Sequence, residues 1–158
     1  MDAVAVGSGT VIADDPRLTA RHTDGDPVRQ PTRVIFDSNL LTRPDAALFA
    51  DVAEAPVLII TGPDPDPGKA TALESAGAGL VRVEGEGPEE RFGAAMLSLG
   101  ERGIGSLLLE GGPVLAGVAV SAGALFFSSA LSVPLVGPFP PVSFGGFFFR
   151  PPRVPDRN

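Results

Sequence analysis

Two stretches of this 158-residue chain combine residue types and spacing suited to chemistry. The first runs Val6-Gly7-Ser8-Gly9-Thr10-Val11-Ile12-Ala13-Asp14-Asp15-Pro16-Arg17-Leu18-Thr19-Ala20-Arg21. It offers glycine flexibility, a hydroxyl at Thr10, a pair of carboxylates and two guanidiniums. That set suits a lip over a phosphorylated ligand, with Arg21 as a bidentate anion clamp. The second runs Gly103-Ile104-Gly105-Ser106-Leu107-Leu108-Leu109-Glu110-Gly111-Gly112-Pro113-Val114-Leu115-Ala116-Gly117. Here an apolar strand ends on a carboxylate and passes through glycines into a helix start. Unpaired N–H groups and the positive end of the helix dipole attract phosphate there, and glycines let it approach. The Glu110 carboxylate can accept hydrogen bonds from a ribose or a base. A third, shorter element, Asp37-Ser38, follows an apolar run. Each stretch also has a plainer reading: an Asp-Pro turn, an ordinary crossover loop, a polar turn.

These residues need a scaffold, and the apolar runs supply one. Strands are expected at Val4 to Val6, Thr32 to Phe36, Pro56 to Thr61, Leu80 to Val83 and Ser106 to Leu109. Helices are expected at Lys69 to Ala76 and Pro88 to Glu101. In the second helix Phe92, Ala95, Met96 and Leu99 fall on one face. Short continuous apolar strands separated by helix-length segments predict an α/β fold, with a mostly parallel sheet flanked by helices. Ligands of such sheets bind beyond the carboxyl ends of the strands, where Gly7 to Thr10, Asp37-Ser38 and Glu110 to Gly112 all fall.

Composition narrows the function. A net charge of −7 argues against a nucleic-acid partner, and the absence of cysteine removes thiolate chemistry and Cys-based zinc sites. His22 is the one histidine, set in the polar stretch Arg21 to Gln30, which reads as an exposed loop. Met1 to Thr10 carries no signal-peptide pattern, and the expected compartment is the cytoplasm. Between Gly111 and Phe149 there is no ionisable side chain, and seven of the ten Phe lie there. The expected division is therefore a domain at 1–117 and an atypical Phe-, Pro- and Gly-rich tail at 118–158. Val114 to Val136 is long enough to span a bilayer if helical, but Pro134, Pro138, Pro140 and Pro141 break the region, so a membrane role is not expected.

Taken together, the two long motifs and Arg33-Val34-Ile35-Phe36-Asp37-Ser38 resemble the reductase half of the bifunctional riboflavin-biosynthesis deaminase/reductase. The resemblance covers roughly residues 2 to 117. It implies a dihydrofolate-reductase-like fold, NADPH as cofactor, and a homodimer. It implies reduction of 5-amino-6-(5-phosphoribosylamino)uracil by hydride transfer to C1′ of the opened sugar. Carried over by motif position, Thr10, Asp14, Ser38 and Gly112, Pro113, Val114, Leu115, Ala116, Gly117 and Val118 would contact the cofactor. Leu18, Arg21 and Glu110 would contact the substrate. The zinc signature of the deaminase half is absent, so only reductase chemistry is implied. The family normally begins some thirty residues earlier and continues past Gly117 into further strands, so an incomplete sheet is expected. Two alternatives stay open on the sequence: a non-catalytic truncated or frame-altered fragment, and a membrane- or partner-associated protein using its tail.

Overall fold

The computed structural model describes residues 1–20, 29–110, 113–122 and 147–149. In chain order these form β1 (Ala3–Gly7), α1 (Ser8–Asp14), β2 (Thr32–Phe36), a 3-10 turn (Ala47–Phe49), β3 (Val57–Thr61), α2 (Pro67–Ser75), β4 (Ala78–Arg82), α3 (Pro88–Glu101), β5 (Leu107–Leu109), α4 (Pro113–Ser121) and β6 (Phe147–Phe149). The strands lie in one sheet ordered β4-β3-β2-β1-β5-β6. The first five are mutually parallel, and β6 runs antiparallel to β5 with Phe149 opposite Leu107.

The alternation of side chains along each strand divides the core into two layers. Ala3, Ala5, Val34, Ile60, Val81, Leu107 and Leu109 point to one face. They meet Phe92, Ala95, Met96 and Leu99 of α3 and Leu115 and Ala119 of α4. Val6, Ile35, Val57, Ile59 and Ala78 point to the other face, where Val11 of α1, Leu48 of the 3-10 turn and Ala70 and Leu73 of α2 cover them. Each fully buried Leu, Ile or Val contributes about 1.5–3 kcal/mol over an exposed one. The stripe on α3 follows the spacing read from the sequence, and the helix occupies the expected residues.

Strand β2 likewise occupies the expected Thr32–Phe36, while α2 and β4 differ at their ends for identifiable reasons. Helix α2 starts two residues before the expected Lys69, because the Asp66 carboxylate accepts from the Lys69 N–H at 2.8 Å and Pro67 takes the first helical position. Strand β4 runs from Ala78, and the Val83 N–H still donates to Thr61 O at 3.0 Å. The 3-10 turn was not anticipated. It is anchored from β2, whose buried Arg33 donates from Nη1 to Leu48 O and pairs through Nη2 with Asp51 at 2.6 Å.

The strand order sets the site. The chain lays β1 to β4 outward on one side, then crosses back through α3 to place β5 on the other side of β1. The reversal point between β1 and β5 is where open α/β sheets bind ligands. No helix among the described residues is long and apolar enough to cross a membrane. The division expected at residue 117 falls within α4, and residues 123–146 and 150–158 lie outside the described residues, as do Arg21 to Val28 and Gly111-Gly112.

Candidate functional site

A cavity of about 480 Å³ opens over the carboxyl ends of β1 to β4, on the α3/α4 face. That size falls among pockets that take small ligands and cofactors, roughly 300–1,000 Å³. Its wall begins at Gly7, where β1 turns into α1. Gly7 caps α1 with extended backbone and, lacking a side chain, makes no side-chain cap hydrogen bond. A Cβ at Gly7 or Gly9 would meet nothing within 4 Å, so open space lies over this turn. Ser8, Thr10, Ala13 and Asp14 of α1 continue the wall. Phe36 at the end of β2 stacks on Phe92 of α3, with ring centroids 5.4 Å apart and planes inclined by 22°. Ile60, Val83, Pro88 and Arg91 close the far side, and Val114, Leu115 and Val118 of α4 the near side. Val114 is 80% exposed, an apolar side chain held out from the core beside the cavity.

Ser38 reaches the cavity because Asp37 builds the loop beneath it. The Asp37 side chain is buried, and its two oxygens accept from the N–H groups of Leu41 at 2.9 Å and Thr42 at 2.7 Å. Its own N–H donates to Ile60 O at 2.9 Å. Ser38 O in turn accepts from the Gly62 N–H at 3.3 Å, tying the loop to the end of β3.

The Asp14-Asp15 pair divides its labour in the same way. Asp14 lines the cavity. Asp15 adopts a left-handed conformation at the end of α1, and its carboxylate accepts from the Ala47 N–H at 2.8 Å, at the start of the 3-10 turn. The chain then turns through Leu18, also at positive φ, onto the opposite face of the sheet.

There a smaller cavity of about 110 Å³ brings Leu18 and Glu110 together, with Val4 and Leu108 from neighbouring strands and Thr19, Ala20 and Pro31 around them. Glu110 continues the β5 ladder, donating its N–H to Ala5 O at 2.8 Å. Alternation then turns its side chain away from the face that Leu109 occupies. Gln30 holds Ala20 through two hydrogen bonds, accepting from its N–H at 2.9 Å and donating to its O at 3.1 Å.

The residues singled out in the sequence therefore separate. Thr10, Asp14, Ser38, Val114, Leu115 and Val118 line the larger cavity, and Leu18 and Glu110 the smaller. Pro113 opens α4, Ala116 is half-buried on it and Gly117 is exposed. Gly112 and Arg21 lie outside the described residues. Phe36, Val83, Arg91 and Phe92 were not anticipated as wall residues. The apolar stripe of α3 marks Phe92 as core, and only the fold reveals that one side of that ring faces the cavity.

A sequence profile described as the RibD C-terminal domain matches residues 1–136. The chain is 38% identical over 118 residues to the 2,5-diamino-6-ribosylamino-4(3H)-pyrimidinone 5′-phosphate reductase of Methanothermobacter thermautotrophicus, covering 72% of this chain and 50% of that protein. It is 37% identical over 120 residues to riboflavin biosynthesis protein RibD of Bacillus amyloliquefaciens, covering 76% and 31%. It is 34% identical over 135 residues to the chloroplastic riboflavin biosynthesis protein PYRR of Arabidopsis thaliana, covering 85% and 21%. The chain thus spans from about a fifth to half the length of these relatives. Among solved structures, Acinetobacter baumannii RibD superposes with a TM-score of 0.56 at 23% identity, over 78% of this chain and 32% of that one, a likeness of fold. A profile match across most of the chain, relatives above 30% identity and a parallel sheet with the same fold agree: the chain belongs to the RibD C-terminal domain family.

Proposed function

We propose that this chain is an NADPH-dependent pyrimidine reductase, acting on 5-amino-6-(5-phosphoribosylamino)uracil or its close pyrimidinone counterpart, in the cytoplasm. The observation that carries this reading is that Thr10, Asp14 and Ser38 line one cavity over the carboxyl ends of the strands, while Leu18 and Glu110 come together in a second.

The donor set of the larger cavity fits a nicotinamide dinucleotide. Open space over Gly7 and Gly9 leaves room for a pyrophosphate to approach the backbone. The hydroxyls of Thr10 and Ser38 suit ribose or phosphate oxygens, and the Phe36 and Phe92 rings give an apolar floor. When bound, NADPH supplies the hydride. Asp14, Gly112 and the residues Pro113 to Val118 complete the cofactor wall in this reading. The chain's part on the substrate side is orientation and charge. Glu110 accepts from substrate hydroxyl or amino groups, and its negative charge favours the cationic imine that receives hydride. Leu18 offers an apolar surface to the pyrimidine, and Arg21 offers a bidentate partner to the substrate phosphate.

The test is a titration of the purified chain with NADPH, followed by nicotinamide fluorescence, alongside turnover of the pyrimidine substrate. Thr10→Ala is expected to weaken NADPH binding. Glu110→Ala is expected to leave NADPH binding intact while raising KM for the pyrimidine or lowering kcat. Absence of saturable NADPH binding by the unmodified chain would overturn the proposal.

A further inference from the structure

The stretch that carries Leu18 is tied at its two ends. At its start the Asp15 carboxylate accepts from the Ala47 N–H at 2.8 Å. At its end the Gln30 side chain takes both backbone groups of Ala20, accepting from its N–H at 2.9 Å and donating to its O at 3.1 Å. Among the described residues no other hydrogen bond reaches residues 16–20. Between the two ties Leu18 has φ 51°, a conformation that is unfavourable for a residue with a Cβ and persists only where its surroundings impose it. A primary amide presents one acceptor and one donor in the pattern of a peptide group, so Gln30 pairs with Ala20 as a neighbouring strand would. Gln30 is itself on firm ground. It is half-buried and precedes Pro31, which is buried at the entry to β2. The Thr32 N–H that follows donates to Asp2 O at 2.9 Å, and β2 lies between β1 and β3. The amide thus fastens a stretch without secondary structure to an interior strand.

What it fastens is the wall of the smaller cavity. Leu18, Thr19, Ala20 and Pro31 line that cavity together with Glu110. Gln30 lines neither cavity, so its influence passes through Ala20. This inference rests on the reading of the smaller cavity as the pyrimidine site. We propose that Gln30 is a positioning residue for the pyrimidine: through Ala20 it sets where Leu18 and Thr19 stand relative to Glu110, without touching substrate or cofactor.

The experiment compares the full chain with Gln30→Met and Gln30→Glu. The Met variant keeps length and bulk and removes both hydrogen bonds; the Glu variant keeps the acceptor for the Ala20 N–H and removes the donor to Ala20 O. Three quantities are measured: amide hydrogen exchange at Ala20, kcat and KM with the pyrimidine, and the NADPH dissociation constant by nicotinamide fluorescence. In Gln30→Met, exchange at Ala20 and KM for the pyrimidine are each expected to rise roughly 5- to 30-fold, the scale of one or two lost hydrogen bonds. Gln30→Glu, which keeps one of the two, is expected to lose less in both. kcat and the NADPH dissociation constant should stay within about twofold, because Gln30 and Ala20 lie apart from the larger cavity. Unchanged exchange at Ala20 in Gln30→Met would overturn the proposal. So would faster exchange with an unchanged KM, or an equal weakening of NADPH, and both results would leave the reductase reading standing. Failure of the unmodified chain to reduce the pyrimidine would remove the reading of the smaller cavity and the role of Gln30 together.

Discussion

Phe36 at the end of β2 and Phe92 on α3 stack at 5.4 Å, joining one strand of the sheet to the helix that crosses above it. The pair is both core and floor. Phe92 is 3% exposed and packs with Ala95, Met96 and Leu99, while both rings line the larger cavity. Phe92→Ala is expected to lower stability by about 3–5 kcal/mol, as for other large-to-small core changes. Phe36→Leu keeps an apolar side chain but loses the ring and its stacking, and is expected to cost about 1 kcal/mol. The informative readout is NADPH affinity, which should fall in Phe36→Leu although the protein remains folded by urea denaturation.

Asp37 acts through Ser38. Its buried carboxylate satisfies the N–H groups of Leu41 and Thr42. Asp37→Ala leaves both donors unpaired and is expected to cost about 2–4 kcal/mol, at ~1–2 kcal/mol per orphaned group. Asp37→Asn retains one acceptor and should cost about half as much. Ser38→Ala should leave the unfolding midpoint unchanged and weaken nucleotide binding, which separates the residue that builds the loop from the one the loop presents.

The buried Arg33 predicts an asymmetry. Its side chain is fully buried against Leu48 O, and Asp51 is its partially exposed counter-charge. Asp51→Ala leaves a buried cation unpaired and is expected to cost about 3–5 kcal/mol. Arg33→Met removes the charge together with its desolvation cost and should be less damaging, even though Leu48 O loses a donor. Comparison of the two midpoints in urea, with m unchanged, tests the order; equal losses would contradict it.

Acid sensitivity is expected at the other end of the sheet. Asp2 accepts from Ser106 Oγ at 3.0 Å and from the Gly105 N–H at 2.9 Å, and the Ser106 hydroxyl above all holds its carboxyl below the usual value. A lowered carboxyl stabilises the fold above the unfolded-state pKa of about 3.9, and that stability is lost as pH falls further through the folded-state value. The contribution is small because the cluster is exposed. Ser106→Ala should flatten the acid limb of a stability-against-pH curve, because it slightly lowers stability near neutrality and leaves it unchanged well below the folded-state value.

Gly77 offers a purely steric test. It follows α2 with φ +102°, and a Cβ would lie 2.9 Å from Val52 Cγ2. Gly77→Ala combines left-handed strain with a clash and is expected to cost about 2–3 kcal/mol, where the strain alone is about 1–2 kcal/mol. The double variant Gly77→Ala with Val52→Ala should recover the clash component, and calorimetry of the two proteins resolves it.

The sequence by itself determined the family, the five parallel strands and the helices α2 and α3. Strands buried on both faces read as continuous apolar runs, and α3 as a four-residue stripe, because burial imposes those periods locally. The two long motifs carried the family and its candidate residues, since turn glycines, hydroxyls and carboxylates at fixed spacing need no tertiary information to be noticed. Tertiary structure alone decided which residue of each pair lines a cavity. Asp14 lines the cavity while Asp15 caps a turn 32 residues away, and Ser38 is presented while Asp37 is consumed beneath it. It also decided that Leu18 and Glu110, ninety-two positions apart, share one cavity, and that Arg91 stands in the wall of the other. These pairings depend on strand order, in which β5 returns to the far side of β1. Strand order follows from how two apolar layers close over one sheet, a long-range balance that no local spacing in the chain records.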